Sequence, residues 1–128
     1  MNLKSFFLIT TLILTMFPTL THFKASEFNN PDKMRLDFLN RLDELRERCN
    51  FPFIINSDYR APSHPIEAAK SSPGEHSAGH AVDIKVSNAV QRRKLVKCAL
   101  EMGFNGIGVS KTFVHIDDRD STPVMWTY

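Results

Sequence analysis

The chain has 128 residues, a formal net charge of +2, 23% charged and 42% hydrophobic residues, and two cysteines. That is enough for one domain with a modest core and an ordinary soluble composition. No Arg/Lys cluster alternates with aromatics, so a nucleic-acid platform is excluded as a reading, and a weakly basic surface suits at most an anionic polymer.

At the N-terminus, Lys4 precedes an uncharged apolar run from Phe6 to Phe17. A membrane-spanning helix needs about 20 apolar residues, and a basic start with a shorter apolar core reads as an export signal. Residues 1–21 are therefore expected to be a signal peptide or export anchor that engages the membrane during export, and residues 22–128 the domain. Thr19, Thr21 and Ala25 make a poor cleavage site, so retention as an anchor stays open. A buried N-terminal helix is the competing reading, against which Pro18 and the β-branched threonines count.

Asn30-Pro31-Asp32 reads as a helix start, with a capping side chain, Pro at the first helical position and an acid near the positive end. Met34, Phe38, Leu42, Leu45 and Cys49 follow at helical spacing, with charged residues forming a solvated face. Pro52 closes this element and Phe53 to Ser57 reads as a short buried strand. Asp58 to Glu75, with Pro62, Pro65, Pro73 and Gly74, reads as a loop whose length favours function. Ala81 to Val86 is expected to be a strand with Val82 and Ile84 on one face and Asp83 on the other. Asn88 is expected to cap a second helix reaching Met102 and closed by Gly103. Ile107-Gly108-Val109 and Phe113 to Asp117 complete the strands, the latter with His115 and Asp117 on one face. The order predicts a small α+β domain. Cys49 and Cys98 form no C-x-x-C pair and are not read as metal ligands. Export would permit a disulfide between them, while their apolar-facing positions equally suit buried free thiols.

A single His is usually a surface or structural residue, and His22 and His64 carry no pattern. His76, Asp83 and His115 differ. Asp83 and His115 interrupt apolar strands, where a polar side chain is costly without a cation or hydrogen bonds. Two imidazoles and a carboxylate suit zinc, and three protein ligands leave a position for a water nucleophile.

The pattern His76-x-x-Gly79-x-Ala81-x-Asp83 with the later His115-x-Asp117 resembles the zinc D-Ala-D-Ala carboxypeptidases and L-alanyl-D-glutamate endopeptidases of bacterial cell walls (peptidase M15-like). Hedgehog signalling domains share that fold and metal site. Ser57-Asp58-Tyr59-Arg60 looks like the family's S-G-Y-R element, and Phe23 to Phe28 resembles the start of many small members, several phage-encoded. The resemblance implies a small antiparallel sheet with flanking helices and Zn2+ held by His76, Asp83 and His115. It also implies that Arg60 faces the substrate, for which an ordinary salt bridge is the alternative. The implied substrate is a peptidoglycan stem peptide or crosslink; the export-type N-terminus places the protein in the periplasm, cell wall or medium, and no coiled-coil heptads or large apolar stripe suggest more than a monomer.

Three positions depart from the family pattern. Gly74 and Asp58 replace Ser and Gly in loops. Thr112 stands three residues before the last His, where members often carry a carboxylate base. Asp117 is then the expected catalytic base, with an orienting role on an imidazole as the alternative; Asp118 and Glu75 are weaker candidates. His80 is expected to be exposed, with proton donation as its alternative, and Trp126 and Tyr128 to pack on the domain. A non-catalytic zinc-containing module that binds peptide or cell wall competes with the enzyme, as does an accessory protein without metal.

Overall fold

The computed structural model describes residues 19–128; the apolar run Phe6 to Phe17, which carries the export expectation, lies outside them. Helix α1, Leu36–Cys49, buries Phe38, Leu39, Leu42, Leu45 and Cys49. Each fully buried Leu contributes about 1.5–3 kcal/mol. Asn50, in the left-handed region at φ 56°, ends the helix and donates its N–H to the Arg46 carbonyl. The expected helix start at Asn30 is instead a 3-10 turn, Pro31–Lys33. The chain is extended at Met34 and Arg35, because Asn30 is engaged elsewhere: its N–H donates to Asp58 and its amide to the Tyr59 carbonyl.

The strands are β1 (Ile55–Ser57), β2 (Ala81–Lys85), β3 (Gly106–Val109), β4 (Phe113–Asp117) and β5 (Val124–Thr127). Helix α2 is a single turn, Pro65–Ala68, within the stretch expected to be all loop. Its Pro sits in the first turn and the His64 ring caps the Ile66 N–H. Helix α3, Ala89–Glu101, follows its expected boundaries, with the Asn88 side chain accepting from Gln91 N–H and Gly103 at φ +76° behind it.

The sheet order is β1-β2-β4-β3-β5. The first four strands pair antiparallel, as expected, whereas β5 joins β3 in parallel. Strand β5 escapes a sequence reading because it is four residues long and mostly exposed, with no apolar alternation. Residues 118–123 pass the end of β3 to reach it. Two hydrogen bonds hold that crossing, Val124 N–H to the Asn105 carbonyl and the Asn105 amide to the Arg119 carbonyl.

Val82, Ile84, Ile107, Val114 and Ile116 form one core with the buried residues of α1 and α3. Period-2 alternation therefore sends Asp83, His115 and Asp117 to the opposite face of the sheet. Cys49 and Cys98 are buried free thiols; burial and the adjacent Cys98 push the Cys49 thiol up.

Candidate metal centre

Asp83 on β2 stands directly opposite His115 on β4, and the turn before β2 brings in His76. That turn requires Gly79, which lies at φ +78° and whose missing Cβ would come 2.6 Å from the Lys33 carbonyl oxygen. The Gly79 carbonyl in turn accepts from Arg35 N–H at 2.9 Å. Among the described residues, His76, Asp83 and His115 form a group whose ligand atoms all lie within 4.8 Å, and all three are buried.

The atoms that meet are His76 Nε2, Asp83 Oδ1 and His115 Nδ1. Their separations are 3.2 Å between the rings, 3.3 Å from His76 to Asp83 and 3.1 Å from His115 to Asp83. A tetrahedral zinc site with bonds of about 2.0–2.1 Å has donor–donor edges of about 3.3 Å. The far nitrogen of each ring is also committed. His76 Nδ1 lies 2.7 Å from the Asp58 carbonyl oxygen and His115 Nε2 lies 2.6 Å from Asp117 Oδ2. Both acceptors draw the single proton of a neutral ring outward, so in that form each inner nitrogen presents a lone pair beside the Asp83 carboxylate. Three lone pairs converging in a buried space fit a cation.

Burial pushes the Asp83 carboxyl up, but the His115 and His76 rings outweigh it and hold it well below the usual carboxylate range. Burial likewise opposes ionisation of Asp117, and His115 and Arg119 overcome it. Burial pushes the His115 ring down, while Asp117 and Asp83 bring it above its ordinary value.

Asp117 meets His115 on Nε2, the ring nitrogen outside the donor cluster. It is fully buried behind His115, on the nitrogen that faces away from the donor cluster. Its oxygens accept from His115 Nε2 and from Arg119 N, Nε and Nη2. This is the geometry of its alternative reading, a carboxylate that orients an imidazole. Thr112 is exposed in the turn between β3 and β4 and is not part of the cavity lining.

A cavity of about 490 Å³ opens onto the cluster. Of the two carboxylates among its described lining residues, Asp83 belongs to the donor set and Glu75 does not. Behind Glu75 stands His80, which is buried rather than exposed as expected. Arg35 Nη1 lies 3.3 Å from His80 Nδ1. A guanidinium only donates, so Nδ1 accepts and Nε2 carries the proton, which it donates to Glu75 Oε2.

Arg60 forms the salt bridge of its alternative reading and also borders the cavity. It lines the cavity and pairs with Asp83 at 3.1 Å, while its Nη1 is 3.7 Å from Glu67. Buried Glu67, unremarked in the sequence, also accepts from Lys70 Nζ at 2.8 Å and Gly74 N–H at 2.9 Å. Burial pushes its carboxyl up, and Lys70 and the Gly74 N–H bring it below the ordinary value. A carboxyl depressed in the folded state contributes stability that is complete above the ordinary range near pH ~4.3 and is lost as pH falls through it. Thermal melts of the metal-free protein should therefore drop below about pH 4, and Glu67→Gln should flatten part of that drop.

Trp126 and Tyr128 line the cavity instead of only packing on the domain. The Trp126 ring centroid is 5.0 Å from that of His115, although β3 lies between their strands. Gly108 makes this approach possible, since a Cβ there would be 2.7 Å from the indole; a Cβ on Gly106 would be 2.1 Å from the Asp117 carboxylate. The alternation Gly106-Ile107-Gly108 beside His115-Ile116-Asp117 is the signal that could have revealed this cleared face.

No curated protein matches the chain. A family model of peptidase M15 matches residues 15–117, a span that contains the whole donor cluster, and the chain belongs to the peptidase M15 family.

Proposed function

We propose that this domain is an exported zinc-dependent peptidase that hydrolyses peptide bonds in peptidoglycan stem peptides or crosslinks. The observation that carries the reading is the convergence of His76 Nε2, Asp83 Oδ1 and His115 Nδ1, with the far nitrogen of each ring tied to an acceptor. A zinc ion held there supplies Lewis acidity, polarising a carbonyl and making water a nucleophile near neutral pH.

The chain's own groups do the rest. Glu75 takes the proton of the attacking water at Oε1, the oxygen that His80 does not hold, and passes it to the leaving amine nitrogen as the C–N bond breaks. Arg60 Nη1, loosely held by Glu67, donates toward the oxygen that becomes negative. Asp117 keeps the His115 proton on Nε2. Arg60, Lys70 and Arg119 line the cavity, which favours a peptide bearing carboxylates, as stem peptides do; Trp126 and Tyr128 offer its apolar atoms a wall.

The test is digestion of purified peptidoglycan by the full chain, with mass spectrometry of released peptides and His115→Ala as control. Fragments that vanish in the variant are expected, and they name the bond. A folded, zinc-loaded protein that releases none would shift the reading to a zinc-containing binding domain.

A further inference from the structure

We propose that the outer face of α3 docks on an anionic lipid bilayer, seating the helical layer against the membrane with the metal cavity turned away. Residues 84–116 hold Lys85, Arg92, Arg93, Lys94, Lys97 and Lys111 against one acid, Glu101. This segment thus carries a formal +5 in a chain of net +2, and the remainder is −3. The charge is placed, not scattered. Val90, Arg93, Lys94, Lys97 and Leu100 are all exposed, and their spacing of three and four sets them on one stripe of the helix. Val90 is 76% and Leu100 54% exposed.

Beside the stripe runs an open groove of about 620 Å³, with Val96, Leu100 and Val109 in it and Arg92, Arg93 and Lys97 among its lining. Apolar side chains bordered by Arg and Lys are what an interfacial helix presents to a bilayer, where hydrocarbon takes the former and headgroup phosphates the latter. A hydrated polyanion would use the charges alone and leave Val90 and Leu100 in water, so the bilayer is the occupant favoured.

Where the chain enters the fold agrees. The Thr21 and His22 N–H groups donate to Asp43 on α1, and α1 packs against α3. The apolar stretch Phe6 to Phe17 thus precedes a chain that enters on the helical layer. The opposite face of the sheet carries His115 and Asp117, so a domain lying on α3 keeps its cavity open to solvent. Among the described residues no helix is long and apolar enough to cross a membrane; contact through α3 is peripheral.

The proposal rests on the export reading, which cell fractionation tests separately; because the apolar run Phe6 to Phe17 is present in every protein compared, the difference in vesicle binding between wild type and variants reads the α3 surface. Full-length protein is titrated with vesicles of phosphatidylcholine, with and without about one-third phosphatidylglycerol. The wild type should bind the anionic vesicles more tightly, and added salt should erase the difference. Arg93→Gln/Lys94→Gln/Lys97→Gln should weaken anionic binding by on the order of a hundredfold and leave neutral-vesicle binding unchanged. Val90→Glu/Leu100→Glu, at exposed positions, should also weaken it and tests the face if the first variant fails to fold. Wild-type binding to anionic vesicles by both variants overturns the proposal. So does lipid binding that the apolar variant retains and soluble poly(glycerol phosphate) competes away, which would mark a polyanion site.

Discussion

Glu75→Gln is expected to lower the rate of peptide-bond hydrolysis by about 10²–10⁴ with zinc content unchanged. Gln keeps the length of Glu75, and its carbonyl can still accept the His80 Nε2 proton, so the buried His80 and the Arg35 contact behind it need not move. What it loses is the capacity to take a proton from water. Paired measurements of kcat and of bound zinc separate this from a structural defect: kcat should fall while KM and metal stoichiometry hold. A variant as active as the wild type would exclude Glu75 as the proton acceptor. Asp117 could not inherit the role without leaving a fully buried position in which four donors already hold it.

Asp117→Asn should act through the metal, weakening zinc affinity by about 10–100-fold. Asp117 accepts from His115 on one side and from Arg119 on the other. An Asn has one acceptor oxygen, so its amide NH2 must face one set of donors. If it faces Arg119, two donors collide. If it faces His115, Nε2 must accept and the ring proton moves to Nδ1, where it points into the donor cluster and blocks the lone pair that zinc needs. Competition with a chromophoric chelator reads the affinity directly, and activity should return at saturating zinc more fully than in Glu75→Gln. Unchanged affinity would mean that the His115 tautomer is not under Asp117's control.

These two carboxylates mark what the sequence leaves open at the site. In the sequence, Asp117 was the prominent candidate because it shares a strand face with His115, and Glu75 a weak one because it sits in an unpatterned loop. Both placements were legible: Asp117 is on that face and Glu75 is in that loop. Which ring nitrogen each carboxylate would meet was not, since the outcome depends on χ angles and on partners distant in the chain. Asp58, which orients His76, is 18 residues away, and Arg35, which fixes the His80 tautomer, is 45 residues from it.

The sequence by itself determined the elements that carry a strong period and the residues of the candidate metal cluster. Apolar spacing placed most of α1, α3 and β2 through β4, because burial of one face is a local constraint repeated along the element. Asp83 and His115 stood out because a polar side chain in an apolar strand has to be compensated. The tertiary structure alone decided the 3-10 turn at Pro31, the parallel edge strand β5, the burial of His80 and Glu67, and the donors that each acid meets. These depend on cross-chain hydrogen bonds and on space left by glycines at positions 79, 106 and 108, and neither leaves a period in the sequence.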